Sequence, residues 1–160
     1  MKTIFLLVLA CLTEIIMKPS TAIAAEEKRM HVSMDNLYRH VEFLTSITGY
    51  RHYANISGLL RCVDYIRYEF AVPNGWITLQ DFQVQGKTYQ NIICSMGPAD
   101  GLRIIVGAHY DVCGLQPGAD DNASAVAGLL EIARLMGANA DRLRYRLDFA
   151  AMLTYKFLCF

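Results

Sequence analysis

The stretches Ile104-Ile-Val-Gly-Ala-His109-Tyr-Asp111 and Pro117-Gly-Ala-Asp-Asp121-Asn-Ala-Ser124 decide the fold and the chemistry of this chain. The first is an apolar run too short for a helix, which predicts a buried strand that ends in His-x-Asp. The second is an acidic loop that leads into a helix rich in small residues. Because open α/β sheets bind ligands at the carboxyl ends of their strands, we expect the histidine and the loop carboxylates to share one site.

The side chains of these two stretches suit a metal ion. A neutral imidazole such as that of His109 is the commonest protein ligand for zinc. Asp111 can hydrogen-bond a ring nitrogen of His109 and fix its tautomer. Either Asp120 or Asp121 can bridge two metal ions about 3.5–4 Å apart, because a carboxylate has two oxygens. Each residue taken alone is more often structural, so it is their combination that favours a zinc site.

Composition and charge limit the class of protein. The chain has 160 residues, of which 54% are apolar, and it carries 15 basic and 15 acidic residues. This size indicates one domain or part of one, and the scattered Lys and Arg residues exclude a nucleic-acid-binding protein.

The first 24 residues are typical of a signal peptide. Lys2 gives a positive start, an apolar run covers residues 4–12, and small residues precede Ala25. The run is too short and too interrupted to form a stable membrane span. We therefore predict a secreted or periplasmic protein, and the short run with Leu9 disfavours the alternative of a lipid anchor at Cys11.

Caps, turns and apolar periodicity predict two helices, a hairpin and a strand–helix–strand unit. The helices are expected over residues 34–47, 56–71 and 122–136, and the strands over residues 76–84, 88–96, 102–108 and 144–151. Ser33 is expected to cap the first helix, and Asn55 or Ser57 the second. The apolar strand over 102–108 is expected to be covered on both faces. Glu131 lies in the middle of its helix and is expected to be solvated.

The two quoted stretches together resemble the metal-binding signature of the co-catalytic di-zinc exopeptidases. This family includes bacterial leucyl aminopeptidases, yeast aminopeptidase Y and the glutamate carboxypeptidase group. The resemblance covers about residues 33–151. It implies a three-layer α/β/α fold with a mixed, mainly parallel sheet, to which residues 25–160 contribute the N-terminal part. The glutaminyl cyclases share this fold, but their equivalent loop differs, so the loop of this chain is more similar to that of the peptidases.

The resemblance also implies a role for each site residue. His109 would ligate one of two zinc ions, Asp121 would bridge both, and Asp111 would orient His109, which leaves Asp120 as a neighbour. The peptide bond between Asp121 and Asn122 would be cis. The implied activity is the removal of N-terminal residues from a peptide substrate by metal-activated water.

The pattern of that family is not complete in this chain. After the last predicted strand, the family has a Glu-Glu pair that supplies the general base and a zinc ligand, and later an Asp and a His. Here the strand is followed by Met152-Leu-Thr-Tyr-Lys-Phe-Leu-Cys-Phe160, which contains no acid. We therefore expect a truncated exopeptidase domain with an exposed apolar sheet edge and no appreciable peptidase activity as it stands.

Two other functions remain as alternatives. The first is a non-catalytic binding module with the peptidase fold, which the presence of both His109 and Asp121 argues against. The second is an exported structural domain held by disulfides, which the spacing of the cysteines does not favour because it contains no Cys-x-x-Cys. We expect mainly buried thiols and at most one disulfide. Cys113, four residues after His109, is a weaker candidate for a zinc ligand.

Overall fold

The computed structural model of the protein describes residues 31–71 and 75–154. The predicted signal peptide over residues 1–24 lies outside these ranges, and so does the tail from residue 155 onwards. No helix within these ranges is long and apolar enough to cross a membrane.

Three α-helices have ends close to the predicted ones. Helix α1 covers Met34–Thr45, α2 covers Ile56–Glu69 and α3 covers Ser124–Gly137. The Ser33 side chain caps α1 by accepting a hydrogen bond from the Asn36 N–H at 3.2 Å. The Asn55 side chain caps α2 by accepting from the Gly58 N–H at 3.1 Å, so the cap is Asn55 and not Ser57.

The predicted hairpin is confirmed. Strand β1 covers Trp76–Val84 and pairs antiparallel with β2, which covers Lys87–Met96. Gln85 and Gly86 form the turn with φ values of 50° and 74°. Positive φ at both central residues belongs to the turn whose twist matches that of the strands it joins.

The remaining strands belong to a β3–α3–β4 unit, with β3 over Arg103–His109 and β4 over Arg146–Met152. The sheet has the order β1-β2-β4-β3, in which β2 and β4 are antiparallel and β3 and β4 are parallel. The expectation of mainly parallel pairing is therefore wrong for the described strands. A two-residue turn forces the hairpin pairing to be antiparallel, whereas the helical crossover through α3 makes the β3–β4 pairing parallel.

The hydrophobic core lies between one face of this sheet and the helices. Strand β4 is covered along most of its length because it has a neighbour on each side. Core residues of the sheet and the helices form one cluster, which includes Leu59, Ile66, Ile92, Cys94, Val126, Leu130 and Phe149. This core fixes β3, β4 and the start of α3 relative to one another.

Strand β3 is less covered than its apolar sequence predicts. It is the outer strand of the described sheet, and Ile105 in its middle is 63% exposed. Ile104 and Val106 point to the opposite face and pack against the core. The expectation of a strand covered on both faces is thus wrong. An apolar sequence does not determine whether helices pack on one face of a sheet or on both. The third layer of the expected architecture does not occur in the described ranges.

Candidate metal centre

The end of β3 positions the predicted histidine. His109 is the last residue of β3 and lies opposite Met152 of β4. The chain then leaves the sheet with Tyr110, whose N–H donates to the Met152 carbonyl at 2.9 Å and whose hydroxyl donates to the Gln90 carbonyl at 2.7 Å. Tyr110 is buried, so both contacts fix the backbone immediately after His109.

The imidazole of His109 lies between two aspartates. Its Nδ1 is 3.1 Å from the backbone carbonyl of Asp111 and 3.3 Å from the Oδ1 of the same residue. Its Nε2 is 3.1 Å from Oδ1 of Asp121. The His109 side chain is 18% exposed and that of Asp121 is 51% exposed, so the pair faces solvent on one side.

Thr154 also holds Asp111. Its carboxylate is buried and accepts hydrogen bonds from the Thr154 N–H at 3.1 Å and from the Thr154 hydroxyl at 3.0 Å. The structure therefore brings Asp111, His109 and Asp121 together, as the sequence predicts. Whether Asp111 acts by orienting the imidazole stays a prediction that this contact supports.

The loop before α3 presents Asp121. Residues Ala119–Ala123 form a kinked turn in which Asp121 and Asn122 have non-helical backbone angles. The peptide bond between Asp121 and Asn122 is cis, as the resemblance implies. The described contact to His109 is made by Asp121, whereas the Asp120 backbone carbonyl accepts a hydrogen bond from the Ser124 hydroxyl. Of the two candidate aspartates, Asp121 is thus the one placed at the imidazole.

The atoms of this pair fit two ligand positions of a metal ion. Both ring nitrogens of His109 face acceptors: Nδ1 faces the carbonyl and carboxylate of Asp111, and Nε2 faces the carboxylate of Asp121. If the ring proton is on Nδ1, Nε2 and the Asp121 carboxylate can share a metal ion, and imidazole with carboxylate is a donor set that zinc accepts. No group of three or more potential ligands occurs among the described residues, so the pair supplies only part of a zinc site.

Cys113 does not extend the donor set. It is disulfide-bonded, so it offers no thiolate to a metal ion, which agrees with its being only a weak candidate for a zinc ligand. Cys62 and Cys94 are free and buried. Burial raises the pKa of Cys62 to about 12 and that of Cys94 to about 11, so both remain protonated.

Sequence reasoning missed two buried charges. Glu131 has no exposed surface, which corrects the expectation that it is solvated. Arg51 also has no exposed surface, and its guanidinium donates to the carbonyls of Tyr110 and Gly118 beside the candidate centre. No local pattern marks either residue, because charged side chains are normally placed at the surface.

Comparison with known sequences places residues 91–153 in peptidase family M28. These residues include β3, α3, β4 and the connection over residues 110–123 between β3 and α3, which we call the site loop. A curated relative, the uncharacterized protein YfbL of Escherichia coli, is 44% identical over 114 residues, which are 66% of this chain and 35% of that protein. The chain thus spans about a third of the length of this relative.

Solved structures that are similar to this chain include glutaminyl cyclases and exopeptidases. The glutaminyl cyclase of Porphyromonas gingivalis is 27% identical with a TM-score of 0.67, over 77% of this chain and 46% of that one. A Zn-dependent exopeptidase from Parabacteroides distasonis is 25% identical with a TM-score of 0.60, over 81% and 51%. A leucine aminopeptidase precursor from Bacteroides thetaiotaomicron is 25% identical with a TM-score of 0.62, over 80% and 51%. The chain corresponds to about half of each.

Proposed function

We propose that this chain, whose residues 91–153 match peptidase family M28, contributes part of a zinc-dependent exopeptidase of the aminopeptidase type. The observation that carries this proposal is the contact of 3.1 Å between Nε2 of His109 and Oδ1 of Asp121 at the carboxyl end of β3. The similarity to a Zn-dependent exopeptidase and to a leucine aminopeptidase precursor supports it. The substrate would be a peptide with a free amino terminus.

In this proposal each described residue has one task. His109 and Asp121 would hold zinc, and the resemblance implies that Asp121 would be the ligand shared by two ions. Asp111, fixed by Thr154, would keep Nδ1 of His109 protonated so that Nε2 remains a ligand. Zinc, when bound, would polarise the scissile carbonyl and activate water. The fold of a complete domain in this proposal has three layers around a larger sheet.

Zinc binding by a longer protein that contains this sequence tests the proposal, because the described pair supplies only part of a zinc site. We expect binding that is lost, or weakened at least tenfold, in His109→Ala and in Asp121→Ala, as measured by isothermal titration calorimetry. Asp120→Ala is the matched control, because it removes a neighbouring carboxylate whose side chain has no described contact to His109. Binding that is equal in all four proteins would show that this pair is not the metal site. Loss of binding in Asp120→Ala but not in Asp121→Ala would show that the metal ligand is Asp120 and not Asp121.

A second candidate activity follows from the similarity to glutaminyl cyclases. The P. gingivalis enzyme shares 27% of its residues with this chain in the matched region. Aminopeptidase and cyclase activity are distinguished by one assay of a longer protein that contains this sequence, with leucine anilide and an N-terminal glutaminyl peptide as substrates. Release of aniline would support aminopeptidase activity. Loss of ammonia from the glutaminyl peptide without release of aniline would support cyclase activity instead. A protein that binds no zinc and turns over neither substrate would support the non-catalytic binding module.

Export from the cytoplasm is part of the same proposal. It rests on the charge and apolar pattern of residues 1–24. Expression of the whole chain followed by N-terminal sequencing of the mature protein tests it. A mature protein that begins near residue 25 is expected, and one that retains Met1 in the cytoplasm would contradict it.

A further inference from the structure

Arg51 lies beneath the candidate metal centre and has no exposed surface. It belongs to the connection between α1 and α2, far in sequence from the site. Its backbone carbonyl accepts a hydrogen bond from the Val112 N–H at 3.0 Å, and His52 forms an isolated parallel bridge with Val112. The connection therefore lies directly beside the residues that follow His109.

The guanidinium of Arg51 donates to both arms of the site loop. Nε donates to the Tyr110 carbonyl at 2.9 Å, on the arm that leaves β3. Nη1 donates to the Pro117 carbonyl at 2.7 Å and Nη2 to the Gly118 carbonyl at 2.9 Å, on the arm that leads to Asp121. Nη1 also donates to the Leu44 carbonyl, which ties the loop to the end of α1.

A second observation shows how closely the loop approaches this guanidinium. Gly118 has a φ of 61°, and a Cβ at this position would lie 2.2 Å from Cγ1 of Val112, 2.5 Å from the Asp121 carbonyl and 3.0 Å from Nη2 of Arg51. Only glycine fits there without a shift of the backbone. The Ala123 N–H in turn donates to the Gly118 carbonyl at 3.1 Å, so the contact continues into the turn that carries Asp121.

The charge of Arg51 is also unusual. Its described hydrogen-bond acceptors are all neutral carbonyls, and none of the ion pairs in the described ranges includes Arg51. Burial lowers the pKa of Arg51, while the nearby Cys62, Asp111 and Asp121 act to raise it. A buried cation is costly, and it is tolerated here because the carbonyl oxygens satisfy the donors of the planar fork.

We infer that Arg51 is a positioning residue of the candidate metal centre: its guanidinium binds both arms of the loop and thereby holds Asp121 opposite His109. Its effect on the loop follows from the contacts alone, and its effect on zinc rests on the proposed function. Lysine cannot replace Arg51. The three N–H donors of lysine are on one nitrogen, whereas the four carbonyls here accept from three different nitrogens of the guanidinium.

The test compares wild type, Arg51→Lys and the control Arg39→Lys by amide hydrogen exchange and by zinc titration. Arg39 forms a bidentate ion pair with Glu69 and is half exposed, so its variant reports the general effect of replacing arginine by lysine. In Arg51→Lys we expect at least tenfold faster exchange at Val112 and Ala123, with exchange in the β1–β2 hairpin within twofold of wild type. We also expect at least tenfold weaker zinc binding, and no such changes in Arg39→Lys.

The outcomes separate the inference from the proposed function. Unchanged exchange at Val112 and Ala123, or equally faster exchange in the hairpin, would overturn the positioning role. A longer wild-type protein containing this sequence that binds no zinc would refute the proposed function, while the exchange data would still decide the role of Arg51. If Arg51→Lys does not fold, Gly118→Ala disturbs the same contact from the loop side and is expected to give the same local pattern. Gly118→Ala with wild-type exchange and zinc affinity would overturn the inference.

Discussion

Arg51 and Glu131 are both fully buried charged residues, but the structure satisfies them in different ways. Arg51 donates only to neutral backbone carbonyls, most of which belong to the loop of the candidate metal centre. Glu131 accepts from the Arg134 side chain at 2.8 Å and from the Ser33 N–H at 2.6 Å, and it also accepts from Asn36. It lies in the middle of α3 and binds the N-terminal turn of α1.

The different hydrogen-bond partners of Glu131 and Arg51 indicate which of the two buried charges positions the candidate metal centre. The Glu131 network joins two helices, and its charge is compensated by a partner that is partly exposed. The Arg51 network joins the helix connection to the two arms of one loop, and it leaves its charge without a carboxylate partner among the described ion pairs. We therefore assign Glu131 to the stability of the helix pair and Arg51 to the geometry of the site. The two assignments make different predictions.

The largest effect is expected for Arg51→Met. The substitution retains a long apolar stem but leaves the carbonyls of Leu44, Tyr110, Pro117 and Gly118 without this donor in a buried place. The Gly118 carbonyl still accepts from the Ala123 N–H, so three carbonyls lose their described donor. At about 1 kcal/mol each, the low end of the cost of an unsatisfied buried group, we expect a loss of about 3 kcal/mol in the free energy of unfolding. Urea denaturation followed by circular dichroism measures it.

Arg39→Met is the matched control for this measurement. It removes an ion pair at the surface, and such pairs contribute at most about 1 kcal/mol. Equal losses in the two variants would mean that the carbonyl contacts of Arg51 add nothing beyond the ordinary effect of removing an arginine.

A moderate effect is expected for Glu131→Gln. Glutamine keeps the shape of the side chain and can still accept from the Ser33 N–H, but it loses the charge that Arg134 and Asn36 contact. Hydrogen bonds to charged groups contribute about 1.5–3 kcal/mol, and part of this is retained, so we expect a loss of about 1–2 kcal/mol. Thermal or urea unfolding measures it, with the exposed Glu42→Gln expected within about 0.5 kcal/mol of wild type. A loss as large as that of Arg51→Met would remove the distinction between the two networks.

The sequence predicts what is local in this protein and misses what is distant. The caps of α1 and α2 and the turn at Gln85 and Gly86 follow from residues within a few positions of one another. His109, Asp111 and Asp121 could also be predicted as a cluster, because a strand end and the next helix start meet at one edge of the sheet. Their contacts are present in the structure, whereas their roles in metal binding stay a prediction.

The networks of Arg51 and Glu131 could not be predicted in this way. Arg51 and Tyr110 are separated by 59 positions, and Ser33 and Glu131 by 98. No periodicity connects residues so far apart, and a charged residue in a loop or a helix is expected to be solvated. The exposure of Ile105 could not be predicted for a related reason. The apolar sequence of β3 does not determine its place in the strand order, and β3 is the outer strand of the described sheet.

The smallest effect is a dependence of stability on pH that Glu131 contributes. Burial alone would raise the pKa of Glu131, but the hydrogen bonds from Arg134, Ser33 and Asn36 outweigh it and lower the pKa below its ordinary value of 4.5. Below pH 4.5 the unfolded chain then binds a proton more readily than the folded chain, so the contribution of Glu131 is complete above that pH and is lost as the pH falls through the folded-state pKa.

The variant Glu131→Gln has no titratable group at this position. The difference in unfolding free energy between wild type and Glu131→Gln should therefore shrink towards zero as the pH falls below about 4.5. Asp148 is present in both proteins and cancels. His40 does not cancel, because the charge of Glu131 acts to raise the pKa of His40, so a change in the difference between pH 7 and 5 belongs to His40. A difference that stayed constant down to pH 3 would mean that the charge of Glu131 does not stabilise the helix pair, and the contrast with Arg51 would then rest on the loop contacts alone.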